Sequence, residues 1–281
     1  MTTRALVLGG GGITGTAWQA GMLCGLAKRG VDLTEADLIV GTSAGSVTGA
    51  LLRSGIGVEE LYDMQQRPPL DTMDVHMSLL TTLRLAVELL RSGRDEELRG
   101  RRLGRWALDR AVHPDVPTAQ ARFAAMRARR VPDFWPDGAL HVAAVDAQSG
   151  ALRVFTRDDG VPLHRAVAAS CAIPGAYTPV EIDGHRYVDG GARSSANADL
   201  ARGHDRVVVL APIDAPIPFS QTIVRQLRRI GATTDSMATP DRASRRAIGR
   251  DYLDHSRRGA AATAGVRQAD ADAERFASMW N

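Results

Sequence analysis

Ser43 lies at the centre of Gly41-Thr42-Ser43-Ala44-Gly45, directly after the apolar run Leu38-Ile39-Val40 and directly before Ser46-Val47-Thr48-Gly49-Ala50-Leu51-Leu52. The order reads as strand, sharp turn, helix, with a serine at the apex. Such a turn strains the backbone and presents the hydroxyl, and the small residues Gly41 and Gly45 make it possible. The start of a helix beside the hydroxyl adds unpaired N–H groups and the positive end of a dipole. A serine in this setting is a candidate nucleophile for acyl transfer. The competing reading is a glycine-rich turn in which Ser43 only caps the helix.

A nucleophilic serine needs a base, and the attacked carbonyl needs donors for the charge that develops on its oxygen. Gly9-Gly10-Gly11-Gly12-Ile13-Thr14-Gly15 stands between an apolar strand and a helix. There, the amides of Gly10, Gly11 and Gly12 can converge on an oxyanion. The same residues spell Gly10-x-Gly12-x-x-Gly15, a dinucleotide-binding pattern. That pattern also wants an acid at the end of the second strand for the ribose, and this chain has Gly41-Thr42-Ser43 there, so nucleotide binding is set aside. The base is expected at Asp189, in Asp189-Gly190-Gly191, where a strand ends in an open glycine loop. None of the seven histidines (76, 113, 141, 164, 185, 204, 255) stands at a strand end, and His185 beside a turn reads as solvent-facing. A carboxylate can act as the base when it is partly desolvated and bonded to the hydroxyl. In isolation Asp189 reads first as a turn aspartate; beside the serine turn and the glycine loop it reads as the base.

The glycine loop, Gly41-Thr42-Ser43-Ala44-Gly45, Ala172-Ile173-Pro174-Gly175 and Asp189-Gly190-Gly191, in that order and spacing, resemble the patatin-like phospholipase family over about residues 4–212. The resemblance implies a Ser–Asp dyad with Ser43 as nucleophile and Asp189 as base. It implies an oxyanion loop at Gly10, Gly11 and Gly12, and hydrolysis of lipid acyl esters with no cofactor and no metal. Asp146 resembles a family aspartate and reads as structural. Where the family usually carries Arg or Lys, this chain has Thr14. That departure keeps open a protein of the same fold that binds acyl chains without turnover, beside a short-chain carboxylesterase or thioesterase.

The elements that must position these residues follow from periodicity. Arg4-Ala5-Leu6-Val7-Leu8 and Arg206-Val207-Val208-Val209-Leu210 read as buried strands, and residues 14–29 as a helix with Trp18, Met22, Leu23 and Leu26 on one face. Leu140–Asp146 and Leu152–Phe155 read as strands joined at Ser149-Gly150. A further pair flanks Asp183-Gly184, a two-residue hairpin signal. A helix from Leu163 stops before Pro174-Gly175. Strand and helix alternate, which predicts an α/β three-layer sandwich, a mostly parallel central sheet with helices on both faces. The expected organisation is a single unit over 1–281 with a helical, lid-like insertion at about 58–135 and a helical C-terminal segment at about 219–281. Met77 to Leu90 reads first as a core helix and second as a lipid-facing cap.

The 281 residues are 44% hydrophobic with a net charge of +3. That is enough for a sizeable core, and no apolar run of about 18 residues occurs. The N-terminus is too short in apolar residues for a signal peptide, which predicts a cytoplasmic protein. Cys24 and Cys171 make neither a disulfide framework nor a metal site, and Cys24 reads as packed in the first helix. Between residues 91 and 130, eleven arginines face five acids, including Asp115. That stretch is either a solvated helical face or a surface for anionic lipid headgroups or nucleic acid, and peripheral membrane contact through residues 77–130 is the expectation. The partner called for is a lipid or acyl-ester substrate, with no nucleic acid.

Overall fold

The computed structural model describes residues 2–68, 75, 79–93, 95–111, 113, 116–213, 223–232 and 234–280. The chain enters with β1 (Arg4–Leu8), turns through the glycine loop into α1 (Gly12–Lys28), and returns as β2 (Leu38–Thr42), which turns at Ser43 into α2 (Ala44–Arg53). Four helices follow: α3 (Val58–Gln66), α4 (Leu79–Arg91), α5 (Glu96–Arg110) and α6 (Ala119–Ala128). A hairpin of β3 (Ala139–Asp146) and β4 (Leu152–Phe155) comes next, then α7 (Leu163–Ser170) and a second hairpin of β5 (Val180–Ile182) and β6 (His185–Asp189). Then come β7 (Arg206–Leu210), α8 (Ile223–Ile230), β8 (Thr234–Ala238), α9 (Arg242–Ile248) and α10 (Arg258–Trp280).

The strands form one mixed, mostly parallel sheet, bonded in the order β5-β6-β3-β2-β1-β7-β8 with β4 also on β3. Its central strands are apolar on both faces, as a parallel sheet covered on each side requires. Leu6, Leu8, Ile39, Val208 and Leu210 join the large core under α1, α2 and α10. Their neighbours Ala5, Val7, Leu38, Val40, Val207 and Val209 face the other way, against Ile223, Leu227 and Ile230 of α8. The period of two thus feeds two separate cores, which is why these runs lack polar alternation.

Register explains how the ends of two distant segments meet. β3 pairs with β2 through residues 139–143, with β4 through 142–145 and with β6 through 144–146. β4 overlaps both other registers, so β2 and β6 share the opposite edge of β3, end to end. They approach from opposite directions, β2 stopping at Thr42 opposite Ala143 and β6 stopping at Asp189 opposite Ala144. The β5–β6 turn is the expected tight one, with Asp183 at φ 51° and Gly184 at φ 78°, the two left-handed residues of a type I′ turn.

Three expectations about elements need correction. The first helix begins at Gly12, inside the glycine loop, with Gly12 itself left-handed at φ 58° where the loop turns into the helix. The segment from 219 onward is not all helix. Thr234–Ala238 adds a strand in parallel to β7, its side chains split between solvent and core. The described part of the expected 77–90 helix, from Leu79 on, is not a core helix. Among the described residues, α4 leaves Leu80, Leu83, Val87 and Leu90 exposed, Leu80 by 79%, while Leu85 and Leu89 pack toward Trp106 of α5. His76, Met77, Ser78, the side chain of Leu79, Asp115 and residues 219–222 lie outside the described residues.

α10 lies along α1 at a spacing set by glycine. A β-carbon on Gly21 would overlap the Ala262 carbonyl, and one on Gly265 would overlap that of Trp18. Trp280 is fully buried and donates from its indole N–H to the Asp32 carbonyl oxygen at 2.7 Å. The C-terminal helix is therefore part of the main core, and Cys24 of α1 is buried as expected, near Glu59 and Asp63 of α3.

Candidate active site

Ser43 occupies φ 52°, ψ −119°, a conformation that a residue with a side chain rarely adopts. Strain of this kind costs on the order of 1–3 kcal/mol and persists only where the surroundings enforce it. Here they do. A β-carbon on Gly45 would overlap the Leu8 carbonyl oxygen, and one on Gly41 would stand 2.6 Å from the Ser46 α-carbon. The Ser43 amide donates to Ser170 Oγ at 2.9 Å, and Ser170 Oγ donates on to the Ala143 carbonyl at 2.7 Å. Ser170 of α7 thus ties the turn to β3, a role that no local pattern in the sequence announces. Ser43 is only 6% exposed. The hydroxyl expected at the surface instead forms part of the wall of a cleft.

Asp189 closes β6 at the same level of the sheet. It is 4% exposed, so the open loop expected around it is in fact closed. Its amide donates to the Ala172 carbonyl at 2.9 Å, and its Oδ1 accepts from the Gly191 amide at 2.7 Å. Gly190 is obligatory, because a β-carbon there would overlap the Ala143 carbonyl oxygen. Burial raises the carboxyl pKa to about 6, against the opposing help of the Ser43 hydroxyl, the Gly191 amide and the charge of Arg122. Oδ2 has no partner at full hydrogen-bond geometry. The Ser43 interaction is therefore a loose one, as serine–base contacts often are before substrate binds. Asn197, itself left-handed at φ 51°, fastens this loop to the end of β2. Its Nδ2 donates to Thr42 Oγ1 at 3.1 Å and to the carbonyls of Gly190 and Ser194 at 3.3 and 3.0 Å.

The glycine loop passes directly beside Ser43; a β-carbon on Gly10 would touch that of Ser43 at 3.4 Å. Its amides do not all point to the cleft. Gly10 N–H donates to the Ser195 carbonyl at 2.7 Å, so Gly10 is removed from the expected set of oxyanion donors. Gly11, Gly12 and Ala44, the residue after Ser43, donate to no protein acceptor among the described residues. Gly12 sits at φ 58°, and a β-carbon on it would press on the Tyr252 carbonyl. That same carbonyl accepts the Thr14 amide at 3.1 Å, so the C-terminal segment buttresses the loop and buries Thr14 completely. Gln19 joins the two turns. Its Nε2 donates to the Gly9 carbonyl at 2.8 Å and its Oε1 accepts from Thr48 Oγ1 of α2 at 3.0 Å.

Ser43, Gly12, Ile13, Val47, Met126, Ile173 and Tyr177 line a narrow cleft, with Arg122 and Arg129 in the same wall. Ile13, Thr16, Val47 and Arg129 also border a second groove that runs on past Leu51 and Met64. The walls are mostly apolar, as a hydrocarbon chain requires. Asp146 is structural, as expected: its Oδ1 accepts the Gln148 and Ser149 amides at 2.9 and 2.8 Å, closing the β3–β4 turn. His185 is largely exposed and its Nδ1 meets Asp146 Oδ2 at 3.0 Å, away from Ser43. Among the described residues no cluster of His, Cys, Asp and Glu could hold a metal ion. Among the same residues no helix is long and apolar enough to cross a membrane.

A family model described as Patatin-like phospholipase matches residues 6–202. The chain belongs to the patatin-like phospholipase family. It is 30% identical over 210 residues to a Mus musculus protein named patatin-like phospholipase domain-containing protein 7. It is 29% identical over the same length to the Rattus norvegicus protein of that name. Each match covers 74% of this chain but 13% of the relative, so the chain spans about an eighth of those proteins. Among solved structures it is similar to VipD from Legionella pneumophila, with a TM-score of 0.42 and 16% identity over 75% of this chain and 50% of that one. It is also similar to the type III effector protein ExoU, with a TM-score of 0.45 and 15% identity over 98% of this chain and 53% of that one. The family range contains the glycine loop, the Ser43 turn and Asp189.

Proposed function

We propose that this member of the family is a serine acyl hydrolase that cleaves fatty-acyl esters of lipids with Ser43 and Asp189. The observation that carries the reading is the meeting of a strained serine with a buried carboxyl whose pKa is raised to about 6, at one wall of an apolar cleft. A base of that pKa is ionised at neutral pH yet strong enough to take a proton. Asp189 takes the Ser43 proton as Oγ attacks the ester carbonyl. The tetrahedral oxyanion turns to the amides of Gly11, Gly12 and Ala44, each such donor contributing roughly 3 kcal/mol. Asp189 returns its proton to the departing alcohol. It then deprotonates a water that attacks the acyl-enzyme and releases the fatty acid, and the proton passes back to Ser43.

The exposed leucines of α4 extend this reading to a membrane surface. Leu80, Leu83, Val87 and Leu90 recur at three- and four-residue spacing on one face, and the neighbouring groove between α4 and α5 carries Arg84, Arg91, Arg101, Arg102 and Arg105 against Glu88 and Asp109. An apolar stripe flanked by cations suits the boundary between headgroups and acyl chains.

Labelling with a fluorophosphonate probe tests the chemistry. The wild-type protein forms an adduct, Ser43→Ala forms none, and Asp189→Asn labels at least 100-fold more slowly. A folded wild-type protein that takes no label and releases no fatty acid from mixed micelles would leave a fold that binds acyl chains without turning them over.

A further inference from the structure

One wall of the cleft carries a charge that reaches Asp189 only through space, with no ion pair between them. Arg122 of α6 is 2% exposed, yet its guanidinium borders the cleft alongside Ser43. It lies 4.0 Å over the Tyr177 ring, and Nη2 donates to the Ala168 carbonyl at 3.0 Å. Its Nε is buried with no partner. Among the described residues no carboxylate lies within ion-pair distance of it, and burial pushes its pKa down. Two other inward arginines differ in place or in partners. The half-buried Arg193 pairs with Glu96 at 3.0 Å and Asp199 at 2.7 Å. Arg99 is as deeply buried and also leaves nitrogens without partners, but it binds the Ala192 carbonyl at 3.1 Å and does not line the cleft. A buried cation with no ion pair and only the through-space charge of Asp189 is costly, and a cleft lined by one offers an anion a desolvated guanidinium that is not fully satisfied.

We propose that Arg122 is the anion-recognising residue of the cleft, holding a phosphate or carboxylate carried by the acyl compound that Ser43 faces. The cleft would therefore select anionic single-chain lipids over neutral esters with the same chain. Selectivity toward a substrate ester rests on the hydrolase reading; the binding of the anion does not.

Calorimetric titration with octyl phosphate, octanoate and neutral octyl glucoside separates the possibilities. The wild-type protein binds one or both anions at least 10-fold more tightly than the glucoside, and comparison of the two anions tells phosphate from carboxylate. Arg122→Gln loses that preference while its affinity for the glucoside changes less than threefold, and Arg122→Lys restores part of it. Its melting temperature stays equal or rises, because an unpaired buried charge has been removed. A wild-type protein that binds all three ligands alike overturns the proposal. So does an Arg122→Gln protein that loses all three together, which makes Arg122 a prop for Tyr177. Should Arg122→Gln not fold, the wild-type preference and the Arg122→Lys affinities decide. In turnover, the ratio of kcat/KM for oleoyl lysophosphatidate to that for monooleoylglycerol falls at least 10-fold in Arg122→Gln, a ratio in which any effect of the lost charge on Asp189 cancels. If the wild-type protein turns over neither ester, the hydrolase reading fails while the binding result stands.

Discussion

The end of the sheet around Ser43 and the helical stretch α4–α6 are built on opposite terms. At the sheet end, position is set mainly by backbone. Gly41, Gly45 and Gly190 let main chains approach closer than any side chain would allow, and Asp189 is held by the Ala172 carbonyl and the Gly191 amide while the Ser43 amide bonds the Ser170 hydroxyl. In α4–α6, position is set by side chains. Leu85 and Leu89 settle on Trp106, Arg122 reaches into the cleft, and the outer stripe of α4 packs against nothing described. The first region cannot vary without losing the site, whereas the second can change what the site accepts while the fold endures.

The sharpest break of this contrast is Gly45→Ala. Its β-carbon would overlap the Leu8 carbonyl, a backbone atom in the middle of the sheet that cannot move aside. The expected outcome is loss of soluble folded protein, or a destabilisation on the order of 4 kcal/mol, seen in urea unfolding. Alanine in place of the exposed Leu83 should shift stability by less than about 0.5 kcal/mol.

Asp189→Asn should move activity and stability in opposite directions. Burial holds the folded carboxyl near 6, above the 3.8 of an unfolded aspartate. Between those values the folded chain keeps a proton that the unfolded chain has lost. Stability therefore falls as pH rises through that window, and above it the whole cost, about 3 kcal/mol at most, is present. Asn carries no such cost. The variant should melt several degrees higher than wild type at pH 7.5, and the difference should vanish near pH 3.5. Its hydrolytic rate should drop about 1000-fold. Wild-type kcat/KM should rise tenfold per pH unit below about 6 and level off above it. A flat profile across pH 5–8 would remove Asp189 from the role of base.

Ser170→Ala is a smaller test. It frees the Ser43 amide and leaves the Ala143 carbonyl with one donor fewer. We expect a cost of about 1–2 kcal/mol in unfolding and roughly a tenfold fall in kcat with KM little changed, because the turn loosens while the cleft wall stays.

How much of this was legible in the chain follows the same division. The Ser43 turn, the glycine loop and the Asp189 loop are backbone devices, and each leaves a short run of glycines that a reader can find. The fold was legible as well, since strand runs such as Val207–Leu210 alternate with helical periods. Gly10 was misread because the run of four glycines does not reveal which amide is spent on Ser195. Ser170, Asn197 and Arg122 were not legible at all. Each acts across more than 75 residues of sequence, on Ser43, Thr42 and the cleft respectively, and a lone Ser, Asn or Arg has no local signature. β8 was missed because Thr234-Asp235-Ser236-Met237-Ala238 is a polar edge strand that owes its state to β7.

The mildest change in stability should come from α4 and the largest in where the protein acts. Leu80, Leu83, Val87 and Leu90 already stand in solvent, so replacing Leu83 and Val87 by Glu buries no charge and opens no cavity. The melting temperature should move by less than about 2 °C. If this face meets a bilayer, the two charges must enter the headgroup region against anionic lipid, and the lost apolar burial is worth roughly 2–3 kcal/mol. Sedimentation with vesicles containing phosphatidylglycerol should then fall at least 10-fold, and hydrolysis of vesicle lipid should fall with it. Hydrolysis of a soluble short-chain ester should be unchanged, because Ser43, Asp189 and the amides around them are untouched. Equal loss on soluble and vesicle substrates would assign α4 to the cleft wall. No loss on either would leave the stripe without a lipid partner and confine the chemistry to the sheet end.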